Sequence, residues 1–152
     1  MPHHHTNGNS RSASQIRLLY VGGDLAFIHF LRTAFHGPEY HVVSCPDRDS
    51  AERFIKSNIR YHLFILDHEM RHRAAFDLAR LVRSLKHRER LPAMIVGREV
   101  EGSLNEFTRA SGGNEYVQKG ESFSAIHKAI KRLLRSSTES AINVSGTASC
   151  PD

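Results

Sequence analysis

Five short apolar segments alternate along this chain with five segments whose apolar residues recur at helical spacing. Short runs of β-branched and aromatic residues favour strands, whereas recurrence at i, i+3, i+4 and i+7 favours helices that bury one face. Strands that alternate with helices through short connections predict a parallel sheet covered by helices on both faces. The predicted strands are residues 16–21, 40–44, 61–67, 93–97 and 115–118.

Few topologies remain once crossovers are right-handed and helices cover both faces of the sheet. We predict the strand order 2-1-3-4-5 in a three-layer α/β/α domain, with the chain reversing direction across the sheet between strands 1 and 3. Ligands bind at such reversals, outside the carboxyl ends of the strands. This crevice is expected to hold Gly22, Gly23 and Asp24 on one side and Asp67 on the other.

Asp67 ends the most apolar of the predicted strands. A strand that is buried on both faces and ends in a carboxylate places an acid at the carboxyl edge of the sheet. Ligands bind and reactions occur at this edge in folds of this kind. Aspartate after a strand is also a common turn former or helix cap, so Asp67 alone does not decide between these roles. Asp24 precedes a helical pattern and is expected to act as its N-cap.

One domain accounts for the 152 residues. We predict a disordered segment at residues 1–14, a domain at 15–135 and a flexible tail at 136–152, because both ends are polar and lack apolar periodicity. The histidines near the start could bind metal adventitiously or belong to an expression tag. Neither a membrane-spanning run nor a secretion signal is visible, so a cytoplasmic location is expected. Cys45 and Cys150 suggest no disulfide framework.

The net charge of +5 permits an acidic partner or nucleic acid without requiring one. No aromatic platform or DNA-binding motif accompanies the basic residues, so nucleic-acid binding is not expected. We interpret the basic clusters as solvated helix faces. They comprise Arg71, Arg73, Arg80, Arg83, Lys86, Arg88 and Arg90, followed by residues 128–135.

Over residues 16–135 the sequence resembles the receiver domain of two-component response regulators, of the CheY-like type with a flavodoxin-like fold. The resemblance is carried by residues 18–21 with the polar turn after them, by 63–66 with Asp67 and Met70, by the strand after 91–92, and by segment 110–119. In that family the aspartate matching Asp67 accepts a phosphoryl group from a histidine kinase. The lysine matching Lys119 binds the phosphoryl oxygens.

Three family positions carry glycine in this sequence. Receivers have two acidic residues where this chain has Gly22 and Gly23, and a hydroxyl residue where it has Gly97. Phosphoryl transfer to a carboxylate needs magnesium and fixed positive charge to neutralise the oxygens, and magnesium prefers carboxylate and carbonyl ligands. The residue after Lys119 is Gly120 in place of the usual proline. Tyr116 matches the aromatic that changes rotamer on activation.

We therefore expect a stand-alone pseudo-receiver of two-component phosphorelay signalling that acts by binding a protein without being phosphorylated. It is not expected to be an enzyme or to need a cofactor. The resemblance implies a partner such as a histidine kinase or signalling complex on the fourth helix, fifth strand and last helix, or a homodimer through the same face. The alternative is a phosphorylatable receiver that holds magnesium weakly at Asp24 and Asp67, helped by the region of Glu69.

Residues 68–72 spell H-E-x-x-H, the signature of zinc proteases. That chemistry needs both histidines one turn apart on a helix and a third ligand. Here the motif follows a strand directly and falls in a predicted loop, so a zinc hydrolase is the second alternative and not our prediction.

Overall fold

The computed structural model describes residues 15–99, 102–120 and 123–148, with side chains as far as residue 136. Within these ranges, five strands and five α-helices alternate along the chain. The strands are β1 (Ile16–Val21), β2 (Tyr40–Cys45), β3 (Leu63–Asp67), β4 (Ala93–Gly97) and β5 (Glu115–Gln118). The helices are α1 (Leu25–Ala34), α2 (Arg48–Lys56), α3 (Ala74–Ser84), α4 (Ser103–Ala110) and α5 (Phe123–Ala148).

All strand pairs are parallel, and the order across the sheet is β2-β1-β3-β4-β5, which confirms the predicted topology. The central strand β3 is buried along its whole length. Its pairing places Val21 opposite Leu66 on one side and Asp67 opposite Val96 on the other. The end of β3 therefore lies between the ends of β1 and β4, where the predicted crevice is expected.

The two faces of the sheet have separate apolar cores, because successive side chains of a strand point to opposite faces. Leu18 and Tyr20 of β1 pack with α1 and α5, whereas Leu19 and Val21 pack with α2 and α3. Tyr20 is thus one of the largest fully buried side chains. Its phenol oxygen needs a polar partner inside the protein.

Two helices begin at aspartate caps, of which the sequence predicts the one at Asp24. Asp24 accepts a hydrogen bond from the Phe27 amide at 3.1 Å, and Asp47 accepts one from the Ser50 amide at 2.8 Å. Each carboxylate satisfies an amide that lacks an intrahelical acceptor and interacts favourably with the positive end of the helix dipole.

Two arginines from the predicted solvated clusters are instead packed into the domain. Arg88 is only 3% exposed, lies over the rings of Tyr61 and Phe64, and donates to the backbone carbonyls that end α2. Arg83 donates to the carbonyls of Gly112, Glu89 and Leu91 and to the Asn114 side chain. The solvated-face interpretation is wrong for both, because their acceptors come from segments distant in sequence.

The last helix also differs from the prediction. We expect it to end near Arg135, but α5 continues to Ala148. No proline occurs in this stretch to remove a backbone donor, so its polar composition alone does not stop a helix. The flexibility predicted after residue 136 stays a prediction, and residues 1–14 and Cys150 lie outside the described ranges. No helix in the described part of the chain is long and apolar enough to cross a membrane.

Candidate functional site

A cleft of about 920 Å³ opens at the carboxyl ends of the central strands. Asp24, Asp67 and Lys119 share it, as the strand order predicts. Its walls also include the loop after β2 and the turn between β3 and α3. The predicted site residues Gly23 and Glu69 line the same cleft.

Asp67 is 1% exposed, and polar partners occupy both of its oxygens. Oδ2 accepts a short hydrogen bond from the Tyr20 hydroxyl and lies 2.7 Å from Lys119 Nζ. Oδ1 accepts from the backbone amide of Glu69 at 2.8 Å. Burial, together with the hydrogen bond to Asp67, raises the pKa of Tyr20, so the phenol stays a donor. Both oxygens of Asp67 therefore have polar partners inside the protein, and the residue also ends β3 as the sequence predicts.

Lys119 joins the two sides of the crevice. Its Nζ lies 2.7 Å from Asp24 Oδ2 as well as 2.7 Å from Asp67 Oδ2, and the ammonium group sits 5.5 Å from the centre of the Phe27 ring. Only 8% of the lysine side chain is exposed. The hydrogen bond from Lys119 holds the pKa of Asp24 below its ordinary value.

Asp24 therefore has two roles. One oxygen caps α1 through the Phe27 amide, and the other binds Lys119. Both the predicted cap and the predicted place in the crevice are found together, because the two oxygens of one carboxylate can point toward different donors.

Gly22 is tightly enclosed and Gly23 is open. A Cβ at residue 22 would lie 2.6 Å from the Tyr20 hydroxyl oxygen and 2.6 Å from Asp67 Cβ. A Cβ at residue 23 would meet nothing within 4 Å. The phenol of Tyr20 thus fills the space that a side chain at residue 22 would need.

Gly97 leaves room for the ring of Tyr116 at the end of β4. A Cβ there would lie 2.6 Å from the Tyr116 hydroxyl oxygen and 2.8 Å from His68 Cβ. The ring points inward, and its hydroxyl donates to the Glu99 carbonyl at 2.8 Å. Burial, reinforced by the charge of Glu99, raises the pKa of Tyr116 to about 12. The predicted switch aromatic therefore has a backbone acceptor in place of a side-chain hydroxyl.

The H-E-x-x-H segment lies in a turn, as we predict, and its histidines diverge. His68 packs edge-on against Phe76 and Tyr116, whereas His72 lines the cleft. Glu69 accepts from the Arg98 amide at 2.8 Å and so faces the loop after β4. Among residues 15–99, 102–120 and 123–148, no three His, Cys, Asp or Glu side chains converge to hold a metal ion.

No family model matches the sequence, and no curated protein matches it either. Many solved structures share its fold. A CheY-like response regulator receiver domain from Methanospirillum hungatei superposes with a TM-score of 0.72 at 17% identity, over 84% of this chain and 99% of that one. A putative response regulator from Chloroflexus aurantiacus gives a TM-score of 0.71 at 21% identity, over 80% of this chain and 98% of that one.

The chain has the fold of a response regulator receiver domain. A further receiver domain with this fold, from a Pseudomonas aeruginosa sensor histidine kinase, was crystallised with magnesium coordinated in its active site cleft. It superposes with a TM-score of 0.66 at 18% identity, over 79% of this chain and 98% of that one.

Sequence reasoning missed Tyr20 in this receiver-like crevice. Residues i and i+2 of a strand share a face, so a tyrosine two positions before a glycine can extend its hydroxyl into the space that glycine leaves. Tyr20 followed by Gly22 carries that signal. We read Tyr20 only as part of an apolar strand.

Proposed function

We propose that this chain is a receiver-like signalling module that acts by binding a protein partner, without phosphorylation of Asp67. One observation carries the proposal. Lys119 Nζ lies 2.7 Å from both Asp24 and Asp67, so a protein cation already binds these two carboxylates and offsets one of their two negative charges.

The residues of the crevice do not fit magnesium. Mg²⁺ requires near-octahedral oxygen ligands at about 2.0–2.1 Å, most often carboxylates together with water. Asp24 and Asp67 both bind the lysine ammonium, and Glu69, which lines the same cleft, accepts from the Arg98 amide. Gly22 and Gly23 supply no side-chain oxygen, and the Tyr20 hydroxyl fills the space next to Gly22. We therefore propose no cofactor for this chain.

Asp67 is also poorly prepared as a nucleophile. Its two oxygens together receive the Tyr20 hydroxyl, the Lys119 ammonium and the Glu69 amide. Attack on a phosphoryl group would have to break at least one of these contacts in a buried site, where an unpaired polar group is costly. Receiver domains are generally not enzymes, and we propose no catalytic activity for this one.

The inward orientation of the Tyr116 ring supports a single conformation of the face formed by α4, β5 and α5. Gly97 offers no hydroxyl that could alternate with the Glu99 carbonyl as a partner of the phenol. We propose that a protein of a phosphorelay, such as a histidine kinase, docks on α4, β5 and α5 in the cytoplasm. A homodimer through this face is the alternative assembly.

Incubation of the full chain with acetyl phosphate and Mg²⁺ tests the proposal. Intact-mass spectrometry is expected to find no added phosphoryl group, and beryllofluoride is expected to leave the amide NMR spectrum unchanged. The control is Asp67→Asn, which cannot be phosphorylated at residue 67. Stoichiometric, magnesium-dependent modification that this variant abolishes would establish the alternative, a phosphorylatable receiver.

A further inference from the structure

The turn between β3 and α3 presents three consecutive basic side chains to solvent. Arg71, His72 and Arg73 are all exposed, and the backbone is left-handed at His72 and Arg73, with φ of 55° and 54°. Non-glycine residues rarely adopt this conformation, which crowds the Cβ atom against the following carbonyl. The surrounding fold therefore holds these side chains in an unusual arrangement at the surface.

An exposed aromatic ring adjoins this turn. Phe107 of α4 is 38% exposed, and its inner side stacks on the buried ring of Phe76, with centroids 4.7 Å apart and planes at 19°. The guanidinium carbon of Arg73 lies 5.1 Å from the centre of the same ring. A ring fixed between a buried aromatic and an arginine is a rigid apolar anchor with positive charge beside it.

Arg71 and Arg73 have no ion-pair partner among the described residues. In the part of the chain that the structure describes, no carboxylate lies within ion-pair distance of Arg71 or Arg73. Elsewhere on the surface Arg48, Arg80 and Arg132 each bind an Asp or Glu side chain. The patch can therefore accept carboxylates from another molecule without first breaking an internal ion pair.

We infer that the basic patch, defined as Arg71, His72, Arg73 and Phe107, docks an acidic peptide segment of a partner protein that carries one apolar side chain. The apolar side chain would pack on Phe107, and flanking carboxylates would bind Arg71 and Arg73. The inference deepens the proposed function by naming the chemistry of the partner, and it rests on that function as a binding module.

A peptide fits this patch better than a nucleic acid does. Glu106 precedes Phe107 on α4 and is exposed, and the Glu99 carboxylate, 64% exposed, lies 3.5 Å from His68 Nε2 nearby. A continuous line of phosphates would bring negative charge to these carboxylates, whereas a peptide can place its acids only over the arginines.

NMR titration of the full isotope-labelled chain tests the inference. The probe is a dodecapeptide of aspartate and glutamate around a central tryptophan. Companion probes replace the acids by glutamine or the tryptophan by alanine, and a DNA duplex is the fourth probe. The acidic peptide is expected to shift the amides of residues 71–76 and 104–108, and each companion peptide is expected to bind about tenfold more weakly.

Two substitutions with matched controls locate the site. Arg73→Glu is expected to weaken binding by about tenfold, and Arg90→Glu, the same change at an exposed arginine elsewhere, to leave it unaltered. Phe107→Ala is expected to weaken it by about fivefold. Its control is Ile59→Ala, because Ile59 is a large apolar residue of nearly the same exposure, 39%, and lies outside α4, β5 and α5. Dispersed amide spectra establish that each variant is folded.

The following outcomes would overturn the inference. They are shifts outside the patch, equal effects of the test and control variants, tighter binding of DNA at the same amides, or sedimentation showing that a second copy of this chain covers the patch. Asp67 plays no part in this titration, so a negative titration leaves the acetyl phosphate experiment unaffected. Failure of this inference can therefore be distinguished from failure of the proposed function.

Discussion

Two buried cations of this domain, Arg88 and Lys119, have opposite kinds of partner. Arg88 donates to neutral backbone carbonyls at the end of α2 and lies over two aromatic rings. Lys119 binds two carboxylates at the carboxyl edge of the sheet. A cation that binds backbone carbonyls joins segments of the fold. A cation between two carboxylates instead reduces the electrostatic repulsion between them, which would otherwise force the crevice apart. The first arrangement is structural, and the second lies in the candidate functional site.

Removal of the Arg88 side chain should have the largest effect on stability. Arg88→Ala removes a donor from the carbonyls of Phe54, Ile55 and Ser57 and uncovers Tyr61 and Phe64, so we expect the free energy of unfolding to fall by about 4 kcal/mol. Urea denaturation measures it. The control Arg90→Ala, at an exposed arginine, should change it by less than about 0.5 kcal/mol. Equal losses in both variants would show that Arg88 does not join these segments.

Lys119→Met should cost somewhat less, about 3 kcal/mol, because it leaves Asp67 buried beside a second carboxylate. The double variant Lys119→Met with Asp67→Asn tests the cause of this loss. Removing one of the two charges should restore part of the stability, as measured by the same denaturation. A double variant that is less stable than Lys119→Met alone would contradict the view that Lys119 acts mainly by neutralising the crevice.

The neighbouring glycines test how tightly the crevice is filled. Gly22→Ala should lower the free energy of unfolding by about 2 kcal/mol, because its Cβ would overlap the Tyr20 hydroxyl and Asp67. Gly23→Ala should change it by less than about 0.5 kcal/mol, since a Cβ there meets nothing within 4 Å. Thermal unfolding of the two variants gives the comparison. Equal tolerance at both positions would mean that Tyr20 does not close the crevice.

The smallest expected effect is that of Asp24→Asn, a loss of about 1 kcal/mol near neutral pH. Asparagine keeps the helix cap but loses the charge that binds Lys119. Because the pKa of Asp24 is lowered in the folded state, its contribution is present above the unfolded value of about 3.9 and is lost as pH falls through the lower folded value. The variant and the parent should begin to converge in urea denaturation at about pH 4 and should coincide once the pH is below the lowered pKa of Asp24. A difference that persists there would place the cause outside this ion pair.

The strand order, the Asp24 cap and the position of Asp67 could be predicted, because each depends on local periodicity or on where a strand ends. The contact between Lys119 and Asp24 could not. Residues 24 and 119 lie 95 positions apart, and only the folded sheet brings their side chains together at its carboxyl edge. Tyr20 was missed because it was interpreted only as part of an apolar strand, without regard to the glycine two positions later.

The sequence likewise predicted the positions of some basic side chains and not of others. Their composition predicts a positively charged surface, and Arg71 and Arg73 are indeed exposed. The burial of Arg83 and Arg88 depends on carbonyls from other segments, which no local pattern reveals. A long cationic side chain can lie in solvent or against the core with equal ease, so its fate depends on acceptors that only the folded chain supplies.

The amino-acid sequence by itself determined the alternation of strands and helices, the order of the sheet and the glycines at residues 22 and 23 of the crevice. These features follow from side-chain periodicity and residue identity. The tertiary structure alone decided that Lys119 bridges Asp24 and Asp67, that Tyr20 fills the remaining space and that the turn before α3 projects its arginines beside Phe107. These depend on distances between segments far apart in the chain, which are established only when the core packs.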